Sequence, residues 1–160
     1  MEPLLTLTLD QIDELLPYYM NRLGLRDWGI TTILRPQTDL RANAIAQIHW
    51  QLSLRHGTMS LADPKTRSEN VSEPDMEISC VHELLHLCLA PITERVEDST
   101  EGWTDLEERV CLEQPIVALS NSLVALRRAT DHRFSWETTI INVENKAMPI
   151  QDGDPGPARA

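Results

Sequence analysis

The sequence predicts a single α+β domain in which a small β-sheet packs against long helices. Three observations carry that expectation. Apolar residues recur at helical spacing near the start of the chain and over two long stretches of its second half. Between them lie three short segments of β-branched or alternating apolar residues, bounded by Pro, Gly and Asp. The chain has 160 residues, 41% of them hydrophobic, enough for one real core. Helix first, strands next and helices last, without strand–helix alternation, is the order that leaves helices on one face of a small sheet.

The first helix is expected from Asp10 to Leu23, with Asp10 as its cap, Asp13 in its first turn, and Ile12, Leu15, Leu16, Tyr19 and Leu23 facing the core. Pro17 should kink it or shift its start, and Gly24 should end it. Trp28 to Arg35 reads as a strand closed by Pro36. Ile45 to Leu54 alternates, with Ile48, Trp50, Leu52 and Leu54 on one side and Gln47, His49, Gln51 and Ser53 on the other, and reads as a second strand. His56-Gly57 reads as a turn, followed by a third strand from Thr58 to Ala62 that Asp63-Pro64 stops.

A second helix is expected over about Glu73 to Ala90. Ser72 would cap it, Pro74 would sit in its first turn, and Glu73 and Asp75 would face its positive end. Met76, Ile78, Val81, Leu84, Leu85, Leu87, Cys88 and Leu89 make it apolar on most sides, and Pro91 should end it. An acidic loop then runs to Trp103. Thr104, with Glu107 three residues later, would box the start of a third helix reaching about Arg128. Leu106, Val110, Ile116, Val117, Leu119, Leu123, Val124 and Leu126 are its expected core stripe, with a kink at Pro115. Residues 1–142 read as one domain, and residues 143–160, which contain Asp152-Gly153-Asp154-Pro155-Gly156-Pro157, as a flexible tail.

Charge narrows the partners. A net charge of -11 and a pI near 4.8 argue against binding to a nucleic-acid phosphate backbone. No run approaches the roughly 18 apolar residues that would suggest a membrane span, and the first residues lack a basic leader. Cys80 and Cys88 lie eight residues apart on one helix, too far to bridge at about 1.5 Å per residue. With Cys111 they read as reduced thiols of a cytoplasmic protein.

The chemistry lies in His82-Glu83-Leu84-Leu85-His86. Histidines at i and i+4 stack on one helix face, so both imidazoles can reach one cation. The glutamate between them is turned aside and can take a proton from water at that cation without ligating it, which makes Glu83 the candidate general base. A chain of this composition would show the pattern by chance in on the order of one per cent of shufflings. Two histidines and a glutamate inside so apolar a helix also need a partner, and a metal supplies one. A zinc ion needs a third protein ligand beside His82 and His86. Asp105 and Glu107 suit solvated positions of a first turn, whereas Glu108 and Glu113 are both open. Glu113 is placed ahead because it borders the apolar face and adjoins Pro115.

His82-Glu83-Leu84-Leu85-His86-Leu87, followed after the acidic loop by Glu113-x-x-Ile116-Val117-x-Leu119-x-x-x-Leu123-Val124, resembles the ImmA/IrrE family of small zincin-fold metallopeptidases. It is similar, too, to related H-E-x-x-H proteins of phage and prophage genomes. The resemblance covers roughly residues 28–128. It implies a minimal zincin-like domain, Zn²⁺ as cofactor, a protein or peptide substrate, and Glu113 as the third ligand, since a glutamate opening the later helix plays that part in the family. It also implies that the strand His56–Ala62 is the sheet edge on which an extended peptide would pair. A second electrophile for the oxyanion is expected, with His49, His56 and His132 as candidates. The rival expectation is a zinc-binding module that grips a protein partner without turnover.

Overall fold

A computed structural model describes residues 7–41, 44–66, 75–97, 104 and 108–130. The tail, His132 and the acidic loop after Glu97 lie outside the described residues, as do Ser72, Glu73 and Pro74 and the expected capping box at Glu107. Within them the architecture is α+β: helix α1 (Leu9–Arg22), strands β1 (Gly29–Arg35), β2 (Ala46–Gln51) and β3 (His56–Ala62), then helices α2 (Met76–Glu97) and α3 (Gln114–Thr130). A single widened turn, Glu108–Glu113, leads into α3.

Helix α1 begins one residue before the expected start, and its cap is Thr8 rather than Asp10. The Thr8 hydroxyl accepts the Gln11 N–H while the Gln11 side chain accepts the Thr8 N–H, so two end donors are satisfied reciprocally. The helix continues through Pro17. Gly24 stops it as expected: its φ of 72° turns the chain, and Leu25 N–H reaches back to the Met20 carbonyl at 2.8 Å. Thr32 donates to Asp13, tying α1 to β1.

The sheet has the order β1-β3-β2, with β1 parallel and β2 antiparallel to β3. This corrects two expectations. The reversal between β2 and β3 uses Leu52–Leu54, a single tight turn, and Arg55 at φ 46°, so His56 and Gly57 already belong to β3. Gly57 is required by packing instead: a Cβ there would lie 3.1 Å from Ile30 Cδ1 and 3.3 Å from Ile48 Cδ1. The strand expected at the edge is the central one, and β2 is the edge that faces α2. Met59, Ser60, Leu61 and Ala62 are all buried, as a strand with neighbours on both sides should be.

Helix α2 continues past Pro91 to Glu97, beyond the expected end at Ala90. Pro91 costs the helix the N–H that would bond the Leu87 carbonyl without ending it, and the Thr93 hydroxyl back-bonds the Ala90 carbonyl at 3.2 Å. At the other end the Asp75 carboxylate accepts the Ile78 N–H at 3.2 Å and caps the first turn. Met76, Val81, Leu84 and Leu87 are fully buried against α1, the sheet and α3. Among the described residues, no helix is long and apolar enough to cross a membrane.

The core stripe of α3 is not the expected one. Ile116, Ser120, Val124 and Arg127 are its buried residues, at spacings of four, four and three, whereas Val117, Leu119 and Leu126 are about half exposed and Val110 lies exposed in the turn before it. Two polar residues on the inner stripe mislead a count of apolar ones. Ser120 is accommodated by donating to the Val117 carbonyl at 3.0 Å. Arg127 joins a buried ionic network that the sequence reading missed. Glu77, with no exposed surface, accepts Tyr19 Oη at 2.6 Å, Arg127 Nε at 2.8 Å and Arg128 Nε at 2.9 Å. Arg128 also donates to both oxygens of Asp75, at 2.8 and 2.9 Å. Helices α1, α2 and α3 meet at this one carboxylate. A signal was present: Glu77 shares the i, i+4, i+7 stripe of Val81 and Leu84, and an acid on a buried stripe needs cations.

Candidate metal centre

Helical spacing alone sets the first half of the site. His82 and His86 stand one turn apart on α2, their ring centroids 4.8 Å apart and their Nε2 atoms 3.0 Å apart. The second half arrives from the widened turn before α3. Glu113 is its last residue, and its carboxylate reaches both rings: Oε2 lies 3.5 Å from His82 Nε2 and Oε1 lies 3.3 Å from His86 Nε2. Pro115 follows two residues later. Its missing N–H cannot bond the Cys111 carbonyl, and its ring crowds that group, so the backbone before it is opened rather than regular. The expected kink is thus a widened turn, and it falls where Glu113 must be aimed.

His82, His86 and Glu113 each offer one ligand atom, all within 4.8 Å of one another, and they form the one such group of three His, Cys, Asp or Glu among the described residues. The dimensions fit a small cation. Nitrogen ligands at about 2.0–2.1 Å in a tetrahedral shell lie roughly 3.3 Å apart, close to the 3.0, 3.3 and 3.5 Å separations found. Burial pushes both imidazoles below the ordinary histidine pKa, against the pull of the Glu113 carboxylate. Neutral rings are the form that ligates a metal. Their ring edges are only 17–22% exposed, while Glu113 at 37% lies toward the open side. The side chain of Glu108 lies outside the described residues.

Glu83 lines the same cleft as the two histidines and reaches the edge of the sheet. The antiparallel pairing explains what it meets. Ala62 N–H bonds the Ile45 carbonyl, so Ile45 faces β3, and alternation turns the backbone groups of Ala46, Ile48 and Trp50 to the free edge. The Glu83 carboxylate accepts the outward Ile48 N–H. Burial, and secondarily the Glu113 charge, push its pKa up to about 7, although the Ile48 hydrogen bond and Arg41 pull it down.

These groups line one cleft of about 700 Å³ between β2, α2 and the start of α3, a size suited to a small ligand or a few peptide residues. Trp50 closes part of it by donating Nε1–H to Glu94 at 2.7 Å. His49 lines the cleft, whereas His56 is not in the lining and its ring contacts Thr31 Oγ1 at 3.3 Å. Cys88 turns to the Leu23 carbonyl, away from the histidines, and all three cysteines are free. Comparison with family models, with curated proteins and with solved structures finds no match to this chain.

Proposed function

We propose that the protein is a zinc-dependent hydrolase that cleaves a peptide bond in a protein or peptide substrate. The observation that carries the reading is the convergence of His82 Nε2, His86 Nε2 and the Glu113 carboxylate at 3.0–3.5 Å, with Glu83 beside them on the same helix. Two neutral nitrogens and one carboxylate are the donor set of a catalytic zinc site, and only three protein ligands leave a position free. A divalent cation held there would lower the pKa of water and polarise a carbonyl.

The remaining work falls to the chain. Glu83 takes the proton that the attacking water gives up and returns it to the amine nitrogen as the C–N bond breaks. A bound cation would favour the ionised form of this carboxyl, the form that accepts a proton from water. The free edge of β2 offers the Ala46 and Trp50 backbone groups to an extended substrate, so pairing by strand addition belongs to β2 and not to β3. The ImmA/IrrE resemblance supports the same reading.

Two measurements test it. Protein purified without added metal should carry a divalent ion near one equivalent, or take up zinc to that level. A peptide library should be cleaved by the loaded chain but not after chelation, and not by the Glu83→Gln variant, which should still hold zinc. A chain that binds no divalent ion at micromolar zinc ends the proposal.

A further inference from the structure

Four charged side chains line the cleft, and three of them are acids: Glu83, Glu94 and Glu113. The fourth is Arg41, the only lysine or arginine of the lining among the described residues. It lies five residues before β2, in a segment where Arg41 N–H donates to the Gln47 side chain at 3.1 Å. Its guanidinium makes no hydrogen bond or ion pair among the described residues, although its charge acts on both Glu83 and His86. An exposed arginine with no carboxylate partner among the described residues, beside three carboxylates it does not bind, has its planar donors open to a ligand.

We propose that Arg41 is the carboxylate-binding residue of the cleft, selecting a substrate that carries an acidic side chain or a free C-terminal carboxylate near the bond to be cut. This rests on the peptidase reading for its biological use, but the binding itself does not require turnover. Guanidinium matches carboxylate with two parallel N–H···O bonds, and one such pair fixes orientation as well as position. In the metal-free cleft the three acids repel a carboxylate, so Arg41 sets the favourable register there, whereas a bound cation would be a second attractor. An oxyanion role fits Arg41 less well. Stabilising a developing charge requires donors held rigid and out of water, and no neighbour among the described residues holds this exposed side chain.

The test is calorimetric binding of three acetylated pentapeptides: Ala-Ala-Glu-Ala-Ala amide, Ala-Ala-Gln-Ala-Ala with a free C-terminus, and Ala-Ala-Gln-Ala-Ala amide. Each is titrated into chelator-treated protein and into zinc-loaded Glu83→Gln protein, with and without Arg41→Gln or Arg41→Lys. At least one carboxylate peptide should bind about tenfold more tightly than the neutral amide, with or without zinc. Arg41→Gln should erase that preference and Arg41→Lys keep part of it. Which of the two carboxylate peptides is preferred separates a side-chain source from a terminal one. A preference that needs zinc and ignores Arg41→Gln, or no preference at all, overturns the assignment. If zinc fails to bind yet the Arg41-dependent preference persists, the peptidase reading falls and the carboxylate site stands.

Discussion

Replacing Glu83 by Gln should make the metal-free protein more stable, and increasingly so as the pH rises. The carboxyl is carried from 4.5 in an unfolded chain to about 7 in the folded one, chiefly by burial. A raised acid holds its proton more tightly when folded. Its contribution is therefore fully present below about pH 4.5 and is lost as the pH climbs through 7. At roughly 1.4 kcal/mol per tenfold change in proton affinity, the loss approaches about 3 kcal/mol at pH 8 and stays under about 1 kcal/mol at pH 5. Glutamine keeps an acceptor for the Ile48 N–H and has no proton to lose, so its stability escapes this slope. Urea unfolding of both chains in chelator, at pH 5 and pH 8, reads the difference directly, and the two histidines cancel because both chains carry them. Saturating zinc should shrink the gap, since a nearby cation favours the ionised carboxylate. Parallel stability curves for the two chains between pH 5 and 8 would refute the claim that Glu83 is held as a strained, proton-hungry base.

Three further outcomes are expected. Glu113→Gln should weaken zinc binding by more than about 100-fold in chelator competition, beyond the 10–100-fold typical of outer partners, whereas Glu108→Gln should leave it unchanged. Zinc at about 100 times its dissociation constant should stabilise the wild-type chain by roughly 2.7 kcal/mol, a shift read in thermal melts and absent from the His82→Asn/His86→Asn double variant. Glu77→Ala should destabilise the fold by about 3–5 kcal/mol in urea, because it removes the buried carboxylate to which Tyr19, Arg127 and Arg128 all donate.

How much of this was legible depends on how local each feature is. The histidine pair and Glu83 were readable because one turn of helix fixes their relations, and nothing else in the fold need be known. Gly24 and the alternation of β2 as far as Gln51 were readable for the same reason, whereas its continuation through Leu52 and Leu54 belongs to the turn. Glu113 lies 27 positions beyond His86, and its selection over Glu108 needed the family resemblance as well as the neighbouring Pro115. Features set by packing were misread. Gly57 looked like a turn residue because a sequence does not show Ile30 and Ile48 closing on it from either side. The central place of β3 follows from a parallel pairing with β1 across an intervening strand, which no local pattern encodes. Pro91 and Pro115 both read as interruptions; α2 continues through the first to Glu97, and a widened turn absorbs the second.

The contact between α2 and α3 is held at two separate places, and this bears on the metal site. Glu77 precedes His82 by five residues, about 7.5 Å along a helix, while Arg127 follows Glu113 by 14, about 21 Å. Unequal spans joined at both ends require the helices to cross, and two pinned points leave little freedom to slide or roll. A buried ion pair adds little net stability compared with apolar residues of the same volume, so its value here is better sought in alignment. The hypothesis that follows is that the Glu77 network keeps the widened turn in register, so that Glu113 meets both histidines. A Tyr19→Phe/Glu77→Leu/Arg127→Met triple variant replaces the three groups by apolar ones and leaves Arg128 its pair with Asp75, and it should still fold. Its zinc affinity should nevertheless fall several-fold. Unchanged zinc affinity in a stable triple variant would assign alignment to apolar packing alone, with Ile116 and Val124 as the residues responsible.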